Sequence, residues 1–157
     1  MARHFHGSGH ILRFIEYMDV GDSNGWKLDE VVPAAELVAL IGAELPLEPI
    51  APNYRGEVAR RWRYADGGGE IGLISSVSQP FCGDCTRVRL SARGELFTCL
   101  FASAGHDVRA LLRSRASDEQ VSARLTAIWR QRDDRYSELR SALAARRPRV
   151  EMSYIGG

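Results

Sequence analysis

The chain has 157 residues, 45% hydrophobic and 26% charged, which suits one domain with a core, or a small domain plus part of another. A net charge of +1 sets up no field that demands nucleic acid, no apolar run is long enough to span a bilayer, and residues 1–7 lack the apolar core of a secretory signal. A soluble, cytoplasmic protein is expected, with neither nucleic acid nor membrane as partner. Of the 21 basic residues only Lys27 is lysine. Gene base composition accounts for that bias, so recognition of phosphate by guanidinium can be argued only for particular arginines.

Residues 11–21 (ILRFIEYMDVG) are apolar and β-friendly and stop at the turn cluster Gly21-Asp22-Ser23-Asn24-Gly25, so they predict a buried strand. Residues 28–42 predict a helix. Asp29 can cap it, Pro33 suits its first turn, and Leu37, Leu40 and Ile41 share a face. A buried strand followed by an amphipathic helix reads as one βα unit of a parallel sheet. Such a unit cannot bury itself, so the chain is expected to be cut from a longer one or to need a partner that supplies the rest of the sheet.

Beyond Pro46, Pro49 and Pro52 the pattern changes. Residues 57–64 predict a strand, Asp66-Gly67-Gly68-Gly69 a hairpin turn, and residues 71–77 the return strand. Three helices are expected near residues 108–114, 118–130 and 136–145. Ser117 and Gln120 have the spacing of a capping box. Leu125, Ile128 and Trp129 would form the core face of the second helix, and Leu139 and Leu143 that of the third.

The chemistry concentrates in residues 81–90 (FCGDCTRVRL) and in Cys99, which follows Cys85 after thirteen intervening residues. The odd count of three cysteines in a cytoplasmic chain argues against a disulfide framework. A Cys-x-x-Cys turn aims two thiolates at one centre, and Gly83 is expected to let the backbone fold tightly around it. Residues 88–91 and 96–100 read as a hairpin that carries Cys99 back toward the pair. Three readings stay open from spacing alone. Structural zinc would need a fourth ligand, such as His106 or an acid. A redox pair would want the motif to open a helix, and would leave Cys99 without a role. A [4Fe–4S] cluster on three thiolates would leave one iron open to a substrate atom. Arg87 and Arg89 would project to one face of a strand beside the metal, as an anion clamp or as two solvated side chains.

Taken together, residues 81–91, the return GELFTCLF at 94–101, the stretches LRFIEYMDVG at 12–21 and ISSV at 74–77, and the closing Gly156-Gly157 resemble the GTP 3′,8-cyclase family of molybdenum cofactor biosynthesis. The resemblance implies an α/β fold: the last βα unit of an incomplete (βα)6 TIM-type barrel over residues 1–50, then an iron–sulfur domain with β-hairpins and helices over residues 51–157. It implies a radical S-adenosylmethionine lyase that converts GTP to (8S)-3′,8-cyclo-7,8-dihydroguanosine 5′-triphosphate. Cys82, Cys85 and Cys99 would hold a [4Fe–4S] cluster that binds the purine. Arg87 and Arg89 would bind GTP, Arg13 would line the same cavity, Met18 would approach S-adenosylmethionine, and Gly156 and Gly157 would form a tail that reaches the active site. The family's N-terminal Cys-x3-Cys-x2-Cys motif has no counterpart, because no three further cysteines exist. The radical chemistry, and S-adenosylmethionine itself, would therefore require the missing N-terminal half, whether this chain is a fragment of a longer one or the product of a split gene; a separate N-terminal half, or a second copy in a homodimer, is the partner expected. The other reading is a non-catalytic zinc-binding or scaffold module that retains the fold.

Duller roles are expected elsewhere. His4, His6, His10 and His106 read as structural or solvated. Glu16 and Asp19 suit hydrogen bonding as well as acid–base work. Trp26, Trp62 and Trp129 read as core. Residues 146–149 (RRPR) read as a solvated linker.

Overall fold

In the computed structural model, residues 1–143 and 150–155 are described, and they group into two compact units. The first comprises Met1–Met18 and Trp26–Cys85, the second Asp19–Gly25 with the described part of Thr86–Gly157. Residues 144–149 and the expected terminal pair Gly156 and Gly157 lie outside the described residues.

The first unit is a mixed four-stranded sheet in the order β1-β4-β3-β2, backed by a helix. Strand β1 (Leu12–Ile15) runs parallel to β4 (Glu70–Ile74). Strands β2 (Leu47–Ile50), β3 (Arg60–Tyr64) and β4 form an antiparallel meander. A short helix α1 (Ala2–Phe5) precedes β1, and α2 (Ala34–Gly42) follows it. Ala34, Tyr64, Ile71 and Leu73 make the buried core, with Leu37, Val38, Ile41 and Trp62 packed against it. Burying a side chain such as Ile71 or Leu73 contributes about 1.5–3 kcal/mol, so this cluster is what fastens α2 to the sheet. The α/β character expected from the sequence holds.

Several local expectations are corrected. The stretch 11–21 is not a buried strand. β1 is short and lies at the sheet edge, with Arg13 and Ile15 exposed and Leu12 and Phe14 half-buried. The alternation arises because only one of its faces meets the core. Asp29 does not cap the helix. It lies in a 3-10 turn (Leu28–Glu30), and α2 begins only after Pro33, whose ring fixes the backbone there and offers no capping side chain. Leu40 is 61% exposed, and Val38 takes its place on the core face. β2 was hidden by its prolines. Pro49 is tolerated because β2 is an edge strand that need not donate on its outer side. The hairpin between β3 and β4 forms as expected, with Gly67 and Gly69 at positive φ. His6 has a structural role, contacting Asp66 at 3.0 Å and the ring of Tyr64.

The second unit carries a three-stranded antiparallel sheet, β5 (Arg89–Leu90), β6 (Glu95–Phe97) and β7 (His106–Asp107). Three helices follow: α3 (Arg109–Arg113), α4 (Asp118–Arg130) and α5 (Tyr136–Leu143). The capping box is present, with Ser117 Oγ accepting from the Gln120 N–H and Gln120 Oε1 accepting from the Ser117 N–H. The expected core face of α4 is corrected: Ile128 is its buried residue, while Leu125 and Trp129 are exposed, so Trp129 is not a core residue. Leu139 is exposed, and the buried face of α5 is formed by Tyr136 and Arg140. The side chains of residues 141–143, Leu143 among them, lie outside the described set. Among the described residues no helix is long and apolar enough to cross a membrane.

Candidate functional site

Cys82 opens a 3-10 turn (Cys82–Asp84), and Cys85 is the residue that closes it, donating its N–H to the Cys82 carbonyl at 3.3 Å. Gly83 is not what permits the turn. Its φ is not positive, and an added Cβ would meet open space. No close contact therefore forces a glycine there.

Cys99 lies in the second unit, two residues past β6. The chain folds back at once, with the Ala102 N–H donating to the Cys99 carbonyl at 3.3 Å and the Phe101 N–H donating to Cys99 Sγ at 3.4 Å. Backbone donors to cysteine sulfur are also found around metal-bound sulfurs, where they tune the centre. None of Cys82, Cys85 and Cys99 is in a disulfide. The donor set of three thiols, one of them already hydrogen-bonded at sulfur, fits an iron–sulfur cluster chemically. Among the described residues no group of three or more His, Cys, Asp or Glu side chains is gathered as a metal site. His106, the alternative fourth zinc ligand, is exposed on β7.

Arg87 and Arg89 are half-buried, while Thr86, Val88 and Leu90 between and beside them are exposed. Only Arg89 lies in a strand, β5, whereas Arg87 stands in the irregular segment before it. In the first unit Arg13 lies on the sheet face opposite α2, in a row across the strands with Gly72 and Arg61. Arg61 is tied to Glu70, with Nη2 donating to Oε2 at 2.7 Å. Arg13 makes no hydrogen bond or ion pair among the described residues, so its charge is available to an anion. Gly72 makes room for it: a Cβ there would stand 3.2 Å from Arg13 Cγ and 3.3 Å from Ala59 Cβ. Nothing in the sequence flagged Gly72, because a lone glycine in a strand signals close approach without naming the neighbour. Met18 is half-buried at the end of the first unit's opening segment.

Two buried acids anchor the backbone around these groups. Glu16 Oε1 accepts from the Ala34 N–H at 2.8 Å and from Ser78 Oγ at 2.5 Å, and Oε2 accepts from the Val77 and Ser78 N–H groups, each at 2.8 Å. Burial by itself would raise its pKa, but the hydrogen bonds, led by Ser78 Oγ and the Ser78 N–H, outweigh burial and hold it below the usual carboxylate range. Glu16 is thus a structural anion, joining the end of β1 to the start of α2 and to residues 77–78, not an acid–base group. Asp19, fully buried in the second unit, accepts from Tyr136 Oη at 2.6 Å and from Arg140 Nε at 2.8 Å.

The fold and site define a mixed α/β protein in which a cysteine turn leads straight into a pair of arginines. The description Molybdenum Cofactor Synthesis C matches residues 10–138, and the chain belongs to that family. A GTP 3′,8-cyclase of Acidothermus cellulolyticus is 53% identical over 175 residues, covering 96% of this chain and 48% of that protein. One of Xanthomonas campestris pv. campestris is 54% identical over 158 residues, covering 100% of this chain and 46% of its own length. One of Synechococcus sp. (strain CC9605) is 53% identical over 146 residues, covering 93% and 41%. The chain thus spans about half the length of the curated relatives it matches.

Proposed function

We propose that this chain is the C-terminal, substrate-side part of a GTP 3′,8-cyclase acting in molybdenum cofactor biosynthesis. The observation that carries the reading is the Cys82–Cys85 turn followed at once by Arg87 and Arg89, both half-buried, in a chain about half identical to proteins of that name. Cys82, Cys85 and Cys99 would hold a [4Fe–4S] cluster, which when bound supplies one iron without a protein ligand for a purine nitrogen. Arg87 and Arg89 bind the triphosphate of GTP, which carries about four negative charges near neutral pH. Arg13, unpaired among the described residues on its sheet face, lines the same cavity. Met18 approaches S-adenosylmethionine, and Gly156 and Gly157, which lie outside the described residues, belong to a tail that would reach the active site. Residues 1–50 contribute the last βα unit of the barrel, and residues 51–157 the cluster domain.

Radical generation from S-adenosylmethionine needs three further cysteines that residues 1–157 do not contain, so turnover requires an N-terminal half that supplies them. The outer edge of β1 supports that arrangement, because an edge strand presents backbone donors and acceptors to a further strand. Anaerobic reconstitution followed by iron, sulfide and zinc analysis tests the metal. About four irons per chain agree with the proposal, and one zinc with no sulfide overturns it in favour of a zinc-binding module.

A further inference from the structure

A buried polar network in the second unit ends at Cys99. Asp19 is fully inaccessible to solvent, and it holds Tyr136 and Arg140, one helical turn apart on α5, through hydrogen bonds of 2.6 and 2.8 Å. Both of those side chains bear on Phe101. The Tyr136 ring stacks on it with centroids 4.5 Å apart and an interplanar angle of 20°, and the Arg140 guanidinium lies 5.4 Å from its centroid. Phe101 in turn is the residue whose backbone N–H donates to Cys99 Sγ.

An acid so buried is costly to desolvate and is kept only when its partners are fixed around it. Its partners here do not pack against apolar core alone. They clamp the one aromatic ring whose main chain faces the sulfur. Groups behind a ligand that orient it, and donors to its sulfur, set a metal centre's geometry and potential.

We propose that Asp19 is a positioning residue for Cys99, acting through Tyr136, Arg140 and the Phe101 ring to hold the Phe101 N–H on the sulfur. The inference rests on the reading of Cys99 as a cluster ligand for its purpose, but its geometry can be tested without metal.

The experiment is amide hydrogen exchange on the full chain, metal-free, comparing the parent with Asp19→Asn and Arg140→Lys. Asn keeps an acceptor for Tyr136 but removes the charge that holds Arg140, and Lys keeps a charge but loses the flat guanidinium over the ring. Exchange at the Phe101 amide is expected to quicken by about tenfold or more in both variants, with the β3–β4 ladder amides of the first unit unchanged. In anaerobically reconstituted protein the same variants should move the reduction potential to more negative values, because a sulfur that loses its donor disfavours the added electron. Unchanged exchange at Phe101, or equal acceleration at every amide, would overturn the proposal, since Asp19 would then serve general stability alone. If Asp19→Asn does not fold, Tyr136→Phe, which removes one hydrogen bond and keeps the stack, gives the same comparison in milder form. Failure of the parent to take up iron would sink the proposed function and leave the exchange result to decide this one.

Discussion

Replacing Glu16 tests whether the junction between β1, α2 and residues 77–78 is held electrostatically. Four donors converge on its carboxylate, three of them backbone N–H groups that have no side-chain alternative in the turn. Glu16→Gln keeps the shape. Its carbonyl can still accept from Val77 and Ser78, and the Ser78 hydroxyl can rotate to accept from the new amide, but the Ala34 N–H then faces a donor. Losing one charge-assisted bond costs about 1.5–3 kcal/mol, and neutralising the acceptor weakens the other two, so the expected loss is about 3 kcal/mol. Glu16→Ala leaves three backbone N–H groups, that of Ala34 buried and those of Val77 and Ser78 part-buried, without the acceptor and should cost about 4 kcal/mol. Urea unfolding followed by tryptophan fluorescence reads the difference, since Trp62 packs against the core beside α2. For a chain of this size 3 kcal/mol corresponds to roughly 6–12 °C in Tm. The sign with pH provides a second check. The folded pKa of Glu16 is lowered, so its contribution is fully present above the unfolded value of about 4.3 and is lost as pH falls through the folded value. The gap between parent and Glu16→Gln should therefore shrink on acidification. A Gln variant within 1 kcal/mol of the parent at neutral pH, or a gap that widens toward low pH, would refute the reasoning.

Further outcomes are expected. Arg87→Ala should weaken GTP binding to the reconstituted chain by a factor of about 10–100 in calorimetry while leaving iron content intact; the reverse pattern would make Arg87 a structural residue. Cys99→Ser should abolish iron uptake without unfolding the chain, read by iron analysis beside circular dichroism. Gly21→Ala should cost more than Gly25→Ala in urea unfolding. Both residues have positive φ, worth about 1–2 kcal/mol each, but only at Gly21 would a Cβ fall 2.2 Å from Glu151 Oε2, whereas at Gly25 it meets open space. Adding Glu151→Ala should erase much of that excess. Ser117→Ala should cost about 1 kcal/mol through loss of the α4 cap, measured the same way.

Local signals were legible wherever a short stretch carried its own instruction. The capping box at Ser117, the bounds of α4 and the glycine-rich turn between β3 and β4 follow from spacing, because each is settled by neighbours a few residues away. The cysteine pattern and its arginines likewise pointed to the family before any fold was known. What the sequence left undecided depends on groups far apart along the chain. The apolar run at residues 11–21 read as buried, yet β1 is an edge strand, since burial depends on which strands lie beside it. Pro49 masked β2, which exists because Trp62 and its neighbours on β3 offer it a partner. The leucines of α5 pointed to an apolar face, whereas the buried face is Tyr136 and Arg140, chosen by an aspartate more than a hundred residues earlier. Gly72 matters only because Arg13 crosses it from the adjacent strand. Sequence fixes propensity and chemistry residue by residue, and tertiary structure decides which of those residues meet.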